Sequence, residues 1–424
     1  MLTVEENELL CRVGPGTPMG ELFRRYWLPA LTTVEIPEPD CPPVRVRLLG
    51  EDLVAFRDSE GRVGLIAEKC AHRRASLFYG RNEEGGLRCV YHGWKYDVSG
   101  TIVDTPVEPR ESMIRYHVRQ RAYPCREANG LIYAYMGPRE EMPALPNYPW
   151  VTMPTERVFV RSKMINECNW LQTQEGNVDS THSGFLHARV GQQGAVRRYR
   201  TQSNPPVLDI EPTQWGVRAV VRYPAEDGYE FIRTNTFIMP VYTALPNGQS
   251  LGDKLDGFTI NTEVPMDDYT TRRFFISVQR TLPMNRADWD NNAQFLTPDG
   301  RKLLTRANDY GIDREKQRRK IVFSGIDASA PFQDAAMTET MGAISDRENE
   351  HLGVTDTQVV ALRRYYLDAV RALQEGRRPP AITRDGEDPI SYDDLYLVSG
   401  LVSKGRDWKS QIPEVTTHQL AAVG

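Results

Sequence analysis

The chain has 424 residues, 40% of them hydrophobic and 26% charged, and a net charge of -5. This is the make-up of a globular protein too long for one ordinary domain, and with no basic stripe or polybasic tail it excludes nucleic acid and anionic membranes as natural partners. No apolar run approaches the ~18 residues of a membrane span, and MLTVEENELL lacks the basic-then-apolar order of a secretory leader, so the cytoplasm is expected.

In chain order, Thr3 and Glu6 stand in capping-box spacing ahead of a short helix that runs to Val13. GPGTPMG breaks it, and ELFRRYWLPA resumes a helical pattern. From Val44 to about Met136, short alternating runs such as VRVRLLG, LVAFRD, VGLIAEK and LIYAYMG predict a small all-β module. The proline-dense MPALPNYPWVTMP reads as a domain junction, since such a segment continues neither a ladder nor a helix. INECNWLQTQEGNVDSTHSGFLHARV is then expected to be helical, while FIRTNTFIMPVYTAL, LDGFTINTEV and RRFFISVQRTL predict strands of an antiparallel sheet. A late helix is expected from Asp356 to Glu375, with Thr355 as N-cap, Gln358 completing its box and Gly376 beyond its end. The tail after it reads as irregular. The fold class is therefore α+β, with an N-terminal segment over 1–43 packing with the larger domain, an all-β domain over 44–150, and that larger domain over 151–424, built on a central antiparallel sheet flanked by helices.

Cys11, Cys41, Cys125 and Cys168 are scattered singly and read as reduced, small core residues. Cys70, His72, Cys89 and His92 instead form the pattern C-x-H-x16-C-x2-H inside the β-module. A Cys2His2 zinc finger groups like with like, whereas here each Cys is paired with a His. Alternation of this kind suits a [2Fe-2S] cluster in which thiolates hold one iron and imidazoles the other, the Rieske arrangement. Gly93 and Trp94 fit a tight turn that shields such a cluster from water.

About ninety residues further on, EGNVDSTHSGFLH carries Asp179, His182 and His187 as D-x2-H-x4-H. Two imidazoles with one carboxylate are the usual protein face of non-heme Fe(II). Five residues of regular helix leave two side chains roughly 140° apart, so the helix has to bend or end between the histidines, and Ser183-Gly184 lies there. Asp179, three residues before His182, is placed to accept from that ring's other nitrogen. For the third ligand the late segment offers Asp334, Glu339, Asp346, Glu348 and Glu350, and spacing does not choose among them.

Taken together, these motifs resemble the α subunit of a Rieske non-heme iron oxygenase. Similarity over MLTVEENELLCRVGPGTPMGELFRRYWLPA, RNEEGGLRCVYHGWKYD and QDAAMTETMGAISDRENEHLG is strongest to the phthalate dioxygenase-like group, which includes chlorobenzoate dioxygenases and aryl-ether O-demethylases. The resemblance implies a helix-grip catalytic domain, Cys70, His72, Cys89 and His92 as cluster ligands, and His182, His187 and Asp334 as ligands of a mononuclear Fe(II), with Glu339 the fallback for Asp334. It also implies a head-to-tail homotrimer, or stacked trimers, in which Asp179 bridges His182 to His92 of the partner subunit. Electrons from NADH or NADPH are expected through a separate flavin and iron-sulfur reductase, because the chain has no GxGxxG-type dinucleotide fingerprint of its own. The substrates implied are O2 and a small aromatic acid, dihydroxylated on the ring or, as the alternative, O-demethylated. A Rieske electron carrier with a ligand-binding domain is the rival class, and the intact second motif argues against it.

A carboxylated ring calls for a guanidinium, and Arg197, Arg198 and Arg200 in VRRYR and Arg233 in FIRTNTF are the candidates, with Arg233 preferred for its apolar neighbours on both sides. One departure from the commonest family pattern is Arg73-Arg74 after His72, where many members carry Arg-Gly.

Overall fold

In the computed structural model the first helix, α1 (Val4–Cys11), starts at Thr3, whose hydroxyl accepts from the Glu6 amide while Glu6 reaches back. All residues are described except 191–198, 201–203, 227, 247–249, 252–253, 282, 285–292, 385 and 412–424. A second helix, α2 (Pro18–Arg24), is capped by Thr17 with proline at its first position. The helical reading of ELFRRYWLPA fails after Arg24: Trp27–Thr32 is strand β1, paired with Leu131–Tyr135 at the edge of a three-stranded sheet. Pro29 is tolerated because an edge strand needs no donor on its outer side.

The strands of the β-module form two four-stranded antiparallel sheets. One is Val44–Leu48 (β2), Glu51–Arg57 (β3), Val63–Ala67 (β4) and Ala122–Tyr123 (β9); the other is Arg81–Glu83 (β5), Gly86–Arg88 (β6), Lys95–Tyr96 (β7) and Ile102–Asp104 (β8). β1 joins Cys125–Ala128 (β10) and Leu131–Tyr135 (β11) in the third. Val54, Phe56, Ile66, Leu77, Leu87, Trp94 and Tyr96 make a small core of their own beneath Cys70 and Cys89.

The larger domain is built on an antiparallel sheet in the order β12 (Val158–Asn166), β18 (Thr271–Gln279), β17 (Gly257–Pro265), β16 (Tyr242–Leu245), β15 (Tyr229–Ile238), β14 (Gly216–Pro224), β13 (Val207–Pro212). The tail is not wholly irregular, because β19 (Ser399–Ser403) pairs with β15. Three helices lie against this sheet: α3 (Trp170–Val178), α4 (Ala330–Thr340) and α5 (Thr357–Gln374). Trp170 meets Phe23 and Tyr366 edge-on at 4.8 and 4.9 Å, so the N-terminal helices, α3 and α5 share one aromatic core. Among the described residues no helix is long and apolar enough to cross a membrane.

α5 begins at Thr357 after a tight turn over Val354–Asp356, so Thr355 is not its N-cap and Gln358 completes no box there. The Gln358 amide is used elsewhere. α3 also stops earlier than the spacing suggested: Asp179 is already extended, with ψ 120°. The Asp179 carboxylate accepts from the Thr181 amide at 2.8 Å, an Asx turn that competes with the next helical turn. His182 to Gly184 then form a separate short turn.

Candidate functional site

Two loops of the β-module bring Cys70, His72, Cys89 and His92 together. The His72 and His92 rings are 4.6 Å apart, and both cysteines are buried and unpaired. Trp94 is 1% exposed and stacks on His72 at 4.5 Å and 6°, while Gly93 supplies the left-handed turn, φ +77°, that puts it there. The Tyr96 hydroxyl lies 3.0 Å from Cys70 Sγ, and the amide of Ala71, between Cys70 and His72, donates to Gln120 Oε1 at 2.8 Å. Burial, helped by His72 and Arg73, pushes the His92 pKa below its ordinary value, favouring the neutral ring a metal requires. Among the described residues the only three donors that lie within 4.8 Å of one another belong to the second site. The four loop donors are thus spread wider than the ~4 Å that Zn–S and Zn–N bonds of 2.0–2.3 Å allow around one ion. They fit a group with two metals.

The second site joins α4 to the turn after α3. His182 Nε2, His187 Nε2 and Asp334 Oδ1 face one another, with Asp334 Oδ1 at 3.6 Å from His182 and 3.1 Å from His187. The rings are 5.2 Å apart and nearly perpendicular. Asp334 projects from α4; Glu339, five residues on, is tied instead to Lys302 at 2.6 Å and Tyr310 at 2.9 Å, so the fallback is committed to a buried ion pair. No fourth His, Cys, Asp or Glu joins the group among the described residues. Two imidazoles and one carboxylate fit a non-heme iron with open positions.

Behind this triad the other ring nitrogens are occupied. His182 Nδ1 is 3.0 Å from Asp179 Oδ2, and Asp179 Oδ1 accepts from Thr181 and, at 2.8 Å, from Gln358. Burial pushes the Asp179 carboxyl up, but His182 and the Thr181 donors outweigh it and hold the pKa at about 2. Burial lowers and Asp179 with Asp334 raise the His182 pKa, for a net increase. His187 Nδ1 is 2.7 Å from Gln333 Oε1. Asn235 on β15 reaches the Asn177 and Val178 carbonyls, fastening the end of α3 to the sheet. Spacing revealed neither Gln333 nor Gln358 as part of the site; Gln358 lies 179 positions from Asp179, and only tertiary packing joins them.

Arg233 is buried in β15 between β14 and β19 and donates to Ser399 Oγ at 3.3 Å. Arg200 donates to the Ser180 carbonyl at 2.9 Å, close enough for its charge to act on His182. Both guanidiniums also act on the buried Tyr223 hydroxyl. Arg197 and Arg198 lie outside the described residues. Arg74 is exposed and adopts φ +65°, a left-handed position that favours glycine.

Comparison with known proteins finds two family matches along the chain. Residues 26–124 match the Rieske [2Fe-2S] domain and residues 134–422 the LigXa C-terminal domain like family. The chain is 39% identical to the phthalate 4,5-dioxygenase oxygenase subunit of Pseudomonas putida, covering 96% of this chain and 94% of that one. It is 36% identical to the 3-chlorobenzoate-3,4-dioxygenase oxygenase subunit of Comamonas testosteroni, over 97% and 98%. It is 34% identical to the 5,5'-dehydrodivanillate O-demethylase oxygenase subunit of a Sphingobium species, over 91% and 84%. In fold it is similar to the NdmA QL mutant with caffeine from Pseudomonas putida CBB5, with a TM-score of 0.60 at 20% identity over 88% of this chain and 100% of that one. The chain belongs to the Rieske non-heme iron oxygenases, as an oxygenase α subunit of the phthalate dioxygenase-like group.

Proposed function

We propose that this protein is the terminal oxygenase of a multicomponent system that hydroxylates an aromatic carboxylate. The observation that carries the reading is the convergence of His182, His187 and Asp334 with Asp179 behind His182. In this reading Cys70, His72, Cys89 and His92 hold the Rieske cluster, and His182, His187 and Asp334 hold the iron. When bound, the cluster supplies single electrons and the iron supplies O2 activation at its open positions.

The chain's own residues do the rest. Asp179 orients His182 and, in a head-to-tail trimer, reaches His92 of the partner subunit. Arg233, with Arg200 nearer the iron, holds the substrate carboxylate, since a guanidinium grips a carboxylate bidentately and desolvation strengthens the grip. Burial shifts the Arg200 pKa below its ordinary value, so it gains from an anionic partner. Phthalate- and benzoate-like rings fit this anchor. Reducing equivalents come from NADH or NADPH through a separate flavin and iron-sulfur reductase. All six cysteines are unpaired, which suits the reducing cytoplasm.

The test is anaerobic metal analysis with EPR, then a substrate screen. The wild type should hold about three irons and two sulfides per chain, two irons in the cluster and one outside it. His182→Ala should fall to about two irons, keep the reduced Rieske signal and lose O2-dependent turnover. A wild type with only the cluster iron after Fe(II) addition would leave an electron carrier. In the screen, a cis-diol product marks ring dihydroxylation and released formaldehyde marks O-demethylation, the activity named for the Sphingobium relative. Arg233→Met should raise KM for aromatic acids about 10-fold or more, the loss of a charge-assisted contact, and an unchanged KM would remove Arg233 from the pocket.

A further inference from the structure

We infer that Gln333 is the positioning residue that sets the ligating tautomer of His187; the inference rests on the reading of His182, His187 and Asp334 as iron ligands. Gln333 is buried on α4, directly before Asp334. Its amide nitrogen donates to the Ile326 carbonyl at 2.8 Å, and its amide oxygen is 2.7 Å from His187 Nδ1. A carbonyl only accepts, so the amide cannot be turned round: NH2 faces Ile326 and oxygen faces His187. An amide oxygen also only accepts, so the proton sits on His187 Nδ1. In the neutral ring the Nε2 lone pair is then directed at Asp334 Oδ1, 3.1 Å away. Two acceptors face each other there, an arrangement that a shared cation stabilises.

The two imidazoles are therefore held by different chemistry. His182 rests on a carboxylate, Asp179, whereas His187 rests on a neutral amide. A carboxylate draws the Nδ1 proton strongly and raises the donor strength of the far nitrogen; an amide fixes orientation with less of that effect. Gln333 also anchors the ring to Ile326, in the segment that bridges back to Ile312. Its two hydrogen bonds leave the ring one orientation and one tautomer.

The experiment measures the Fe(II) dissociation constant of the mononuclear site in full-length protein with the cluster intact, for the wild type, Gln333→Met and Gln333→Glu. Met keeps the volume and removes both hydrogen bonds; Glu keeps the acceptor facing Nδ1. Loss of such a partner typically costs 10–100-fold in metal affinity, so Gln333→Met should weaken Fe(II) binding by about that factor with an unchanged Rieske EPR signal. Gln333→Glu should stay within about threefold of the wild type, and its nitric oxide adduct should show an altered EPR rhombicity, because a charged acceptor changes the imidazole donor. Wild-type affinity in the Met variant would overturn the inference. So would a Glu variant as weak as Met, or one with unaltered rhombicity, since either leaves only a tether to Ile326. Gln333→Leu replaces Met if that variant does not fold. A wild type that takes up no Fe(II) beyond the cluster would instead overturn the ligand reading beneath it.

Discussion

Asp179 accepts on both carboxylate oxygens, from His182 on one and from Thr181 and Gln358 on the other. A carboxylate held at about pKa 2 by His182 and Thr181 is ionised at neutral pH, so it can orient His182 and accept from a second donor without changing its own charge. Asp179→Asn should keep both metal centres and slow cluster-to-iron electron transfer by 10-fold or more, read in single-turnover stopped flow. Equal single-turnover rates would remove the bridging role. Arg74 is a different kind of residue, one whose backbone is left-handed at φ +65° without a glycine's freedom. The strain is about 1–2 kcal/mol, partly offset in a glycine variant by the more flexible unfolded chain, so Arg74→Gly should stabilise the protein by up to about 1 kcal/mol. Thermal unfolding monitored at the cluster absorbance checks it, and a lowered midpoint would mean that the Arg74 side chain makes a stabilising contact.

At the scale of elements, the site depends on where three helices are pinned. α3 is clamped by Glu175, which accepts from Arg347 Nε and Nη2 at 2.9 Å and from Arg363 Nε at 2.6 Å, joining α3 to α5 and to the loop after α4. Burial pushes the Glu175 carboxyl up, but the two guanidiniums outweigh it and hold it below its ordinary value. A carboxyl depressed in the folded state stabilises the fold above its unfolded pKa of about 4.3 and loses that contribution as pH falls through the folded value. Glu175→Gln should therefore cost about 3 kcal/mol at pH 7, where the arginines lose their counter-charge, and less at pH 3, below the unfolded pKa. Urea midpoints at the two pH values test this, and an equal loss at both would assign the effect to packing. The α3 boundary itself shows how an element can mislead: apolar and polar spacing continues past His182, yet the Asx turn at Asp179 ends the helix first.

At the scale of the molecule, Cys70, His72, Cys89 and His92 sit on loops of the β-module while His182, His187 and Asp334 sit on α4 and the turn after α3, and the proposed bridging role of Asp179 calls for a head-to-tail trimer. Sedimentation should give a homotrimer or a dimer of trimers. Dilution below its dissociation constant should leave cluster and iron bound while turnover falls with the trimer fraction. Turnover per chain that is independent of concentration down to the monomer would require electron transfer within one chain.

The metal chemistry was legible without a structure because it is local: Cys70 with His72, Cys89 with His92, and His182 with His187 sit within a few residues of one another, and ligand type narrows the metal. Strands such as Phe258–Val264 were legible for the same reason, since alternation is a short-range signal. Resemblance brought in Asp334, about 150 residues from His182, which spacing alone could not select among five acidic candidates. Tertiary structure decided the rest. It took Glu339 out of the site by giving it Lys302, moved Gln358 from a helix cap to the Asp179 carboxylate, and turned Trp27–Thr32 into an edge strand. Each outcome depends on which distant group arrives beside a side chain, and short-range pattern carries no information about that.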